Sequence, residues 1–549
     1  MSVTGGATAP GRAPADLSLG AFSDAAPWVV EPDKLRWRIG LARVRSRTRA
    51  EVPELVRRRR IPPLGRLVST ARHLGVPVAV WAMGDRRRSR EVSRAGLSRR
   101  LRRAAERLGP TYIKLAQIIS AGEGLFPEEL VNELKGCRDR VPPESWTDVR
   151  TVVEQELGRP LEEVFTSFDR NPLAAASIAQ VHAATLVTGE EVVVKVQRPQ
   201  VAGLVRRDLA MMSWLAPALV GRIPVASLAN PPALVELFAD TINEELDFRL
   251  EAENMLDVAR MLAALDQRQL VVPRPHPELV TRRVLVMERL SGFAFDDVAG
   301  MHGAGIDTEA VVRTGMVAFL EGAMLHGIFH GDLHGGNLFV QPDGRTALLD
   351  YGITGRLDEP RRLAFLRLLM ASITNDVQTQ LAALRDLGAL PADADLEAVI
   401  VDLRLDQPAV DPTTMTGDEL VAELRRVIKA LLGYGARLPK ELMLFVKNMV
   451  FLDGAIATLA PDLDLFAEIT HVATHFATAH GERLSRDIGL AAGALEVDLS
   501  GVKASFGVAP ETEGLTYREL QERRDLIRSR LGEREAGDRG RRRRGSTPD

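Results

Sequence analysis

The sequence predicts an α+β protein of two lobes, a small β-containing lobe followed by a larger helical one, with a helical extension in front. Three observations carry this reading. At 549 residues the chain exceeds what one core usually fills, so more than one folding unit is expected. Period-two alternation is confined to the middle of the chain, in "VHAATLVTGEEVVVKVQRP" and "RRVLVMERLSG". Beyond about residue 296, apolar residues recur mostly at helical spacing, apart from the opening stretch and "TALLDYG".

Taken in order, residues 1–30 are rich in Gly, Ala, Pro and Ser without periodicity and are expected to be disordered. Residues 31–100 read as short basic helices broken by Pro53, Pro62, Pro63 and Pro77. The small lobe spans 172–292. Its first two β-runs meet at Thr188, Gly189 and Glu190, which is hairpin chemistry. A long helical stretch follows, with Leu237, Phe238, Ile242, Leu246 and Leu250 on one side. The run Arg282 to Gly292 reads as an edge strand entering a hinge near Glu288 to Gly292. The helical lobe spans 293–470. Residues 471–549 are a tail expected to be helical through "LTYRELQERRDLIRSRLGEREAG" and disordered in "RGRRRRGSTPD".

Composition narrows the function classes. Apolar residues at 45% and charged residues at 26% suit a globular protein, and a net charge of -3 gives no global steering field. Between Lys34 and Arg107, however, basic residues outnumber acidic ones by roughly four to one, with runs at Arg57 to Arg60 and Arg86 to Arg88. Such a segment is a solvated face, an anionic-membrane binder or a nucleic-acid binder. Nucleic acid is not expected, because few aromatics interleave with the arginines and no reading motif is present. The lone Cys137 excludes an intrachain disulfide and suits a reducing compartment. The N-terminus lacks a secretory pattern, so a cytoplasmic location is expected. The longest apolar-looking stretch, Leu209 to Val220, is too short to span a bilayer, so no membrane-spanning helix is expected.

The chemistry concentrates in "LHGIFHGDLHGGNLFV", Leu325 to Val340. His326, His330 and His334 stand four apart, as metal ligands on a helix would. Four interleaved glycines, each costing about 1 kcal/mol in a helix, argue against one. The H-E-x-x-H pattern also fails, so metal ligation by these histidines is not expected. Asp332 and Asn337 instead have the D-x-x-x-x-N spacing of a phosphoryl-transfer catalytic loop. Asp350-Tyr351-Gly352 follows a strand-like run, where such enzymes place a magnesium ligand. Upstream, Lys195 ends an apolar strand and needs an anionic partner, phosphate or carboxylate. Before it, Ala174, Ala175, Ala176 and Ser177 replace a glycine-rich loop and still let a backbone approach phosphates. The Walker, Rossmann and G-x-S-x-G patterns are missing, which leaves phosphoryl transfer.

Together these motifs resemble the UbiB/AarF atypical protein-kinase-like family over roughly residues 100 to 470. "GPTYIKLAQIIS" matches its K-x-G-Q extension, and "EELDFRLEAEN", "HGDLHGGN", "LLDYG" and Leu438 to Leu465 follow in the family order. The resemblance implies a helical extension over residues 101–171 and a two-lobed protein-kinase-like fold that binds ATP or ADP with Mg²⁺. It assigns Asp332, Lys195 and Glu251 to catalysis and Asn337 and Asp350 to the metal. Ala174 to Ser177, Lys195 and Glu288 at the hinge would hold the nucleotide. Lys114, Gln117, Glu245 and Asp247 would join the extension to the cleft, with Lys114 reaching Glu245. Family members support isoprenoid quinone and lipid metabolism at membranes, which implies a lipid or quinone-precursor ligand and peripheral contact with an anionic surface. Each basic residue near such a surface contributes about 1 kcal/mol. A homodimer or a biosynthetic complex fits the same reading.

The chain departs from the family pattern at Ala116, where K-x-G-Q has glycine. It also has Gly331, Leu333 and Gly335 where the usual loop has alanine and two prolines. Two alternatives stand beside this reading. One is a small-molecule phosphotransferase of the aminoglycoside or choline kinase type, against which the Lys114/Gln117 extension argues. The other is a nucleotide-gated scaffold with little turnover.

Overall fold

The computed structural model describes residue 28, residues 30–527 and residue 529. The exceptions are 58–60, 62, 85–89, 121–127, 138–141, 220–230, 374–375, most of 408–438, 490–498, 506–507 and 510. The expected disordered ends and most of the two arginine runs lie outside the described residues.

The small lobe is built on β1 (Phe165–Phe168), β2 (Ala174–Ala175), β3 (Ala179–Leu186), β4 (Glu191–Gln197), β6 (Pro275–Val280) and β7 (Val284–Glu288). Between β4 and β6 comes the two-residue β5 (Leu270–Val271), which belongs to the other lobe. The small-lobe order is β1-β3-β4-β7-β6, all antiparallel, with β2 added to β3. The hairpin forms where the sequence places it, and Gly189 turns it with φ +102°, a region that glycine enters freely. Pleating then sorts β4. Val192, Val194 and Val196 face one way, into a cluster with Val149, Val152 and Val153 of the helix Trp146–Leu157. Val193 and Lys195 face the other way, where Val193 packs on the main core and Lys195 lies over the Phe248 ring.

β7 corrects the sequence reading, because it is paired on both sides and is no edge strand. All five of its residues are buried, so its unbroken apolar run is the signature of an interior strand. The edge is β6, which opens on Pro275, a residue that cannot donate to a ladder.

After β7 the chain crosses to the helical lobe and forms β8 (Phe293–Ala294), which pairs with β10 (Leu338–Val340), itself paired with β11 (Thr346–Leu348), with β5 completing the sheet order β5-β11-β10-β8. Gly292 is required at this crossing, since a Cβ there would lie 2.5 Å from the Val340 carbonyl oxygen. β9 (Ile328–His330) pairs with β12 (Thr354–Arg356). Between them these short strands hold the catalytic-loop segment and the Asp350 turn. Around them pack the helices Thr308–Glu321, Glu359–Ile373, Lys440–Leu459 and Leu465–Ile488. The last of these runs through the boundary expected at 470, and residues 517–527 add a helix whose Tyr517 and Leu520 are buried against Ile456 and Phe466.

Leu209 to Val220 falls largely within the helix Val201–Leu219, much of it buried. A different helix, Lys440–Leu459, is long and apolar enough to cross a bilayer by length and composition, which corrects the choice of Leu209 to Val220 as the longest apolar stretch. Its Leu444, Phe445 and Leu452 belong to the main core of the lobe.

Candidate active site

The cleft between the lobes gathers the predicted charges. On β4, Lys195 is opposite Val181 on one side and Leu285 on the other, so it projects from mid-sheet. Its Nζ lies 2.7 Å from Glu251 Oε1 and 3.4 Å from Asp350 Oδ1. Glu251 sits in the first turn of the helix Phe248–Ala264, which Asp247 caps by accepting from Arg249 N. Glu251 is buried, whereas the Asp350 side chain is 42% exposed and faces the open cleft. Asp350 is oriented by its own turn, since Gly352 N donates to Oδ1 at 2.9 Å.

His330 fixes the loop internally. Its Nδ1 accepts from Asp332 N at 3.1 Å and its Nε2 donates to the Asp350 carbonyl. Burial lowers its pKa and keeps that neutral tautomer. Asn337 donates from Nδ2 to the Asp332 carbonyl at 3.1 Å, which leaves Oδ1 as an available oxygen donor. Asp350 and Asn337 thus offer a carboxylate and an amide oxygen, the hard donors that Mg²⁺ prefers.

The extension reaches the same place. The helix Pro110–Ser120 directs Lys114 into the cleft, with Nζ 2.9 Å from Glu245 Oε1. Ala116 is buried in the core beside it, so the added methyl is accommodated with the Lys114–Glu245 pair in place. Gln117 is half-buried on the same helix. Asp247 does not join this pair, because its carboxylate caps a helix and binds the Arg249 guanidinium. Glu288 closes β7, and its carboxylate accepts from Arg274 N at 3.2 Å.

Sequence reasoning missed two residues on the helix Lys440–Leu459. Lys447 Nζ binds Asp332 Oδ1, and Asn448 accepts from Leu333 N at 3.1 Å while donating to the His330 carbonyl. A proline at 333 would have no N–H to give Asn448, so the Leu333 departure and Asn448 belong together. Gly331 is also explained, since a Cβ there would lie 2.7 Å from Ile353 Cγ2. The available signal was a Lys-Asn pair interrupting an apolar helix.

The alanine loop is pinned from outside the sheet. Arg198 donates to the Ala176 carbonyl at 3.0 Å and to Pro142 O at 2.8 Å, and its guanidinium pairs with Glu144 at 2.7 Å. Ala174 and Ala176 remain exposed while Ser177 is buried.

Three ammonium groups, Lys114, Lys195 and Lys447, therefore meet four carboxylates, Glu245, Glu251, Asp332 and Asp350. Burial opposes ionisation of Asp332, but Lys447, Lys114 and His334 outweigh it and hold its pKa far below the usual carboxylate range. Burial likewise opposes Asp350, and Lys195 and Lys114 bring it down. Glu251 goes the other way: burial, with Asp350 and Glu245 nearby, pushes it up to about 7 against the pull of Lys195.

Residues 136–383 match the family of the ABC1 atypical kinase-like domain. A probable protein kinase UbiB of Marinobacter nauticus is 31% identical over 373 residues, covering 67% of this chain and 68% of its own. The chain belongs to the UbiB/AarF family of atypical kinases. An uncharacterized protein of Mycobacterium tuberculosis is 37% identical over 66% of this chain and 74% of its own. An uncharacterized chloroplastic aarF domain-containing protein kinase of Arabidopsis thaliana is 32% identical over 67% and 73%. The UbiB/AarF assignment accounts for the two-lobed kinase-like fold. The alanine loop, Lys195, Glu251, Asp332, Asn337 and Asp350 all fall within the matched segment.

Proposed function

We propose that the protein binds ATP with Mg²⁺ and transfers or hydrolyses its terminal phosphoryl group, in support of isoprenoid quinone or membrane lipid metabolism at an anionic membrane surface. The observation that carries this is the Lys195 ammonium held between buried Glu251 and cleft-facing Asp350. Lys195 is thereby preset to pair nucleotide phosphates. The excess of one carboxylate over ammonium in the cleft, with Asn337 Oδ1 added, suits a divalent cation. When bound, Mg²⁺ would neutralise charge on the phosphate oxygens. Asp332 keeps Oδ2 for an acceptor hydroxyl or water while Lys447 holds Oδ1. Rate enhancement would come from positioning and charge neutralisation. The exposed alanine backbone at Ala174 and Ala176 would border the phosphates.

The membrane part rests on the helical run 64–83, where Leu64, Val68, Val76, Val80 and Met83 are all exposed in an arginine-rich segment. A low-turnover scaffold is the second reading, favoured by the lysine already bound to Asp332 Oδ1.

³¹P-detected turnover of Mg-ATP with anionic liposomes and extracted membrane lipids tests the proposal. Asp350→Asn should abolish phosphate release with the fold intact; undiminished turnover would remove the metal assignment. Phosphorylated lipid would identify a kinase, free phosphate alone an ATPase, and nucleotide binding without either a scaffold.

A further inference from the structure

Outside the cleft, Glu321 ends the helix Thr308–Glu321, and its carboxylate is 1% exposed. His475 and His480, both from the helix Leu465–Ile488, each place Nε2 2.7 Å from the same oxygen, Oε1. The Gln267 amide donates to the other oxygen. Among the described residues no lysine or arginine forms an ion pair with Glu321. Buried carboxylates are normally paired with a cation or coordinate a metal. The Glu321 carboxylate oxygens instead meet the two imidazoles and the Gln267 amide.

We propose that Glu321, His475 and His480 form a binding site for a divalent transition metal of the zinc class, which staples the tail helix to the helical lobe. The three ligand atoms all lie within 4.8 Å of one another. A tetrahedral zinc ion with bonds of about 2.0–2.2 Å needs donors about 3.3–3.6 Å apart. The 2.7 Å contacts therefore open by about 0.6–0.9 Å as the metal takes the place of the bridging protons, each imidazole then carrying its proton on Nδ1. His475 can make that shift, because its side chain is 34% exposed. The same exposure lets water take the fourth position. Two imidazoles and one carboxylate are a donor set for zinc rather than magnesium. Gln267 does for Glu321 what outer hydrogen bonds do for metal-bound carboxylates, fixing the orientation of the ligand. The staple sits one short segment upstream of the catalytic loop, since Gly322–His326 leads directly into β9. Sequence spacing gave no sign of it, because Glu321 is more than 150 positions from its partners and the histidines are five apart.

The test uses the untagged full chain, stripped with chelator and dialysed against excess magnesium to fill the cleft. Addition of zinc should give one bound equivalent by elemental analysis and raise the unfolding midpoint. Cobalt should give visible bands of tetrahedral intensity. His475→Ala with His480→Ala should lose that equivalent and the cobalt bands, with affinity weakened at least tenfold, while Asp350→Asn retains both. Zinc content unchanged in the double histidine variant, or lost in Asp350→Asn, would overturn the proposal. If the double variant fails to fold, the wild-type cobalt spectrum decides, since octahedral or absent bands contradict the site.

Discussion

Asp332 and Glu251 show how neighbouring charges divide the work of one cleft. Lys447 holds Asp332 ionised, so Lys447→Met should raise the Asp332 pKa and move the acid limb of the pH–rate profile to higher pH. The same change should lower kcat/KM for Mg-ATP by about tenfold, a loss near 1.4 kcal/mol. An unmoved acid limb would mean that Lys447 does not act on Asp332. Glu251 titrates in the opposite sense. Its folded pKa, about 7, exceeds the ordinary 4.5, so its contribution to stability is complete below about 4.5 and is lost as pH rises through 7. Glu251→Gln should therefore remove a decline in unfolding midpoint between about pH 4.5 and 7, measurable by thermal melts across that range. Most polar residues of the site were legible in the sequence, because Lys195, Asp332, Asn337 and Asp350 sit in short motifs with fixed spacing. Lys447 and Asn448 were not, because their partners lie about 115 positions away and their helix reads as plain apolar packing.

At the level of elements, the helix Lys440–Leu459 is the backstop of the catalytic loop. Asn448 is fully buried and satisfies two loop groups, so Asn448→Ala should cost about 1–3 kcal/mol of stability and lower kcat more than it changes KM. Denaturant melts and steady-state kinetics together check both effects. The helix Pro110–Ser120 acts from the other side of the cleft. Lys114→Met removes a positive charge that both Asp332 and Asp350 feel. Magnesium should then bind more tightly, while Glu245 is left buried and unpaired at a cost of about 3 kcal/mol. A magnesium titration of ATP turnover reads the first and thermal melts the second. The misplaced edge at β7 has a similar physical origin. An unbroken apolar run states burial but not which neighbour covers it, and β6 was hidden by the prolines and histidine of "PRPHPELV".

Across the whole molecule, the basic N-terminal region is integral to the fold. Arg38 pairs with Glu253, Arg49 with Glu244, and Arg45 bonds Asn254, which in turn donates to the Tyr351 carbonyl beside Asp350. Deleting residues 1–100 would strip these contacts, so a membrane test requires point substitutions. Val68→Asp with Val80→Asp should reduce flotation with anionic vesicles and leave the unfolding midpoint within about 0.5 kcal/mol of wild type in equivalent stability. Flotation unchanged by both substitutions would restrict the run 64–83 to a solvated surface. Two lobes and their order were legible from periodicity, and β11 was legible as the strand-like run before Asp350, while β9, β10 and β12 were not, since three residues carry no period. The most direct measurement of the central claim is calorimetric titration of the intact chain with ATP in the presence of magnesium or manganese. Saturable heat that disappears in Asp350→Asn and falls in Lys195→Met is the expected result; a folded chain giving no heat with adenine or guanine triphosphates would contradict it.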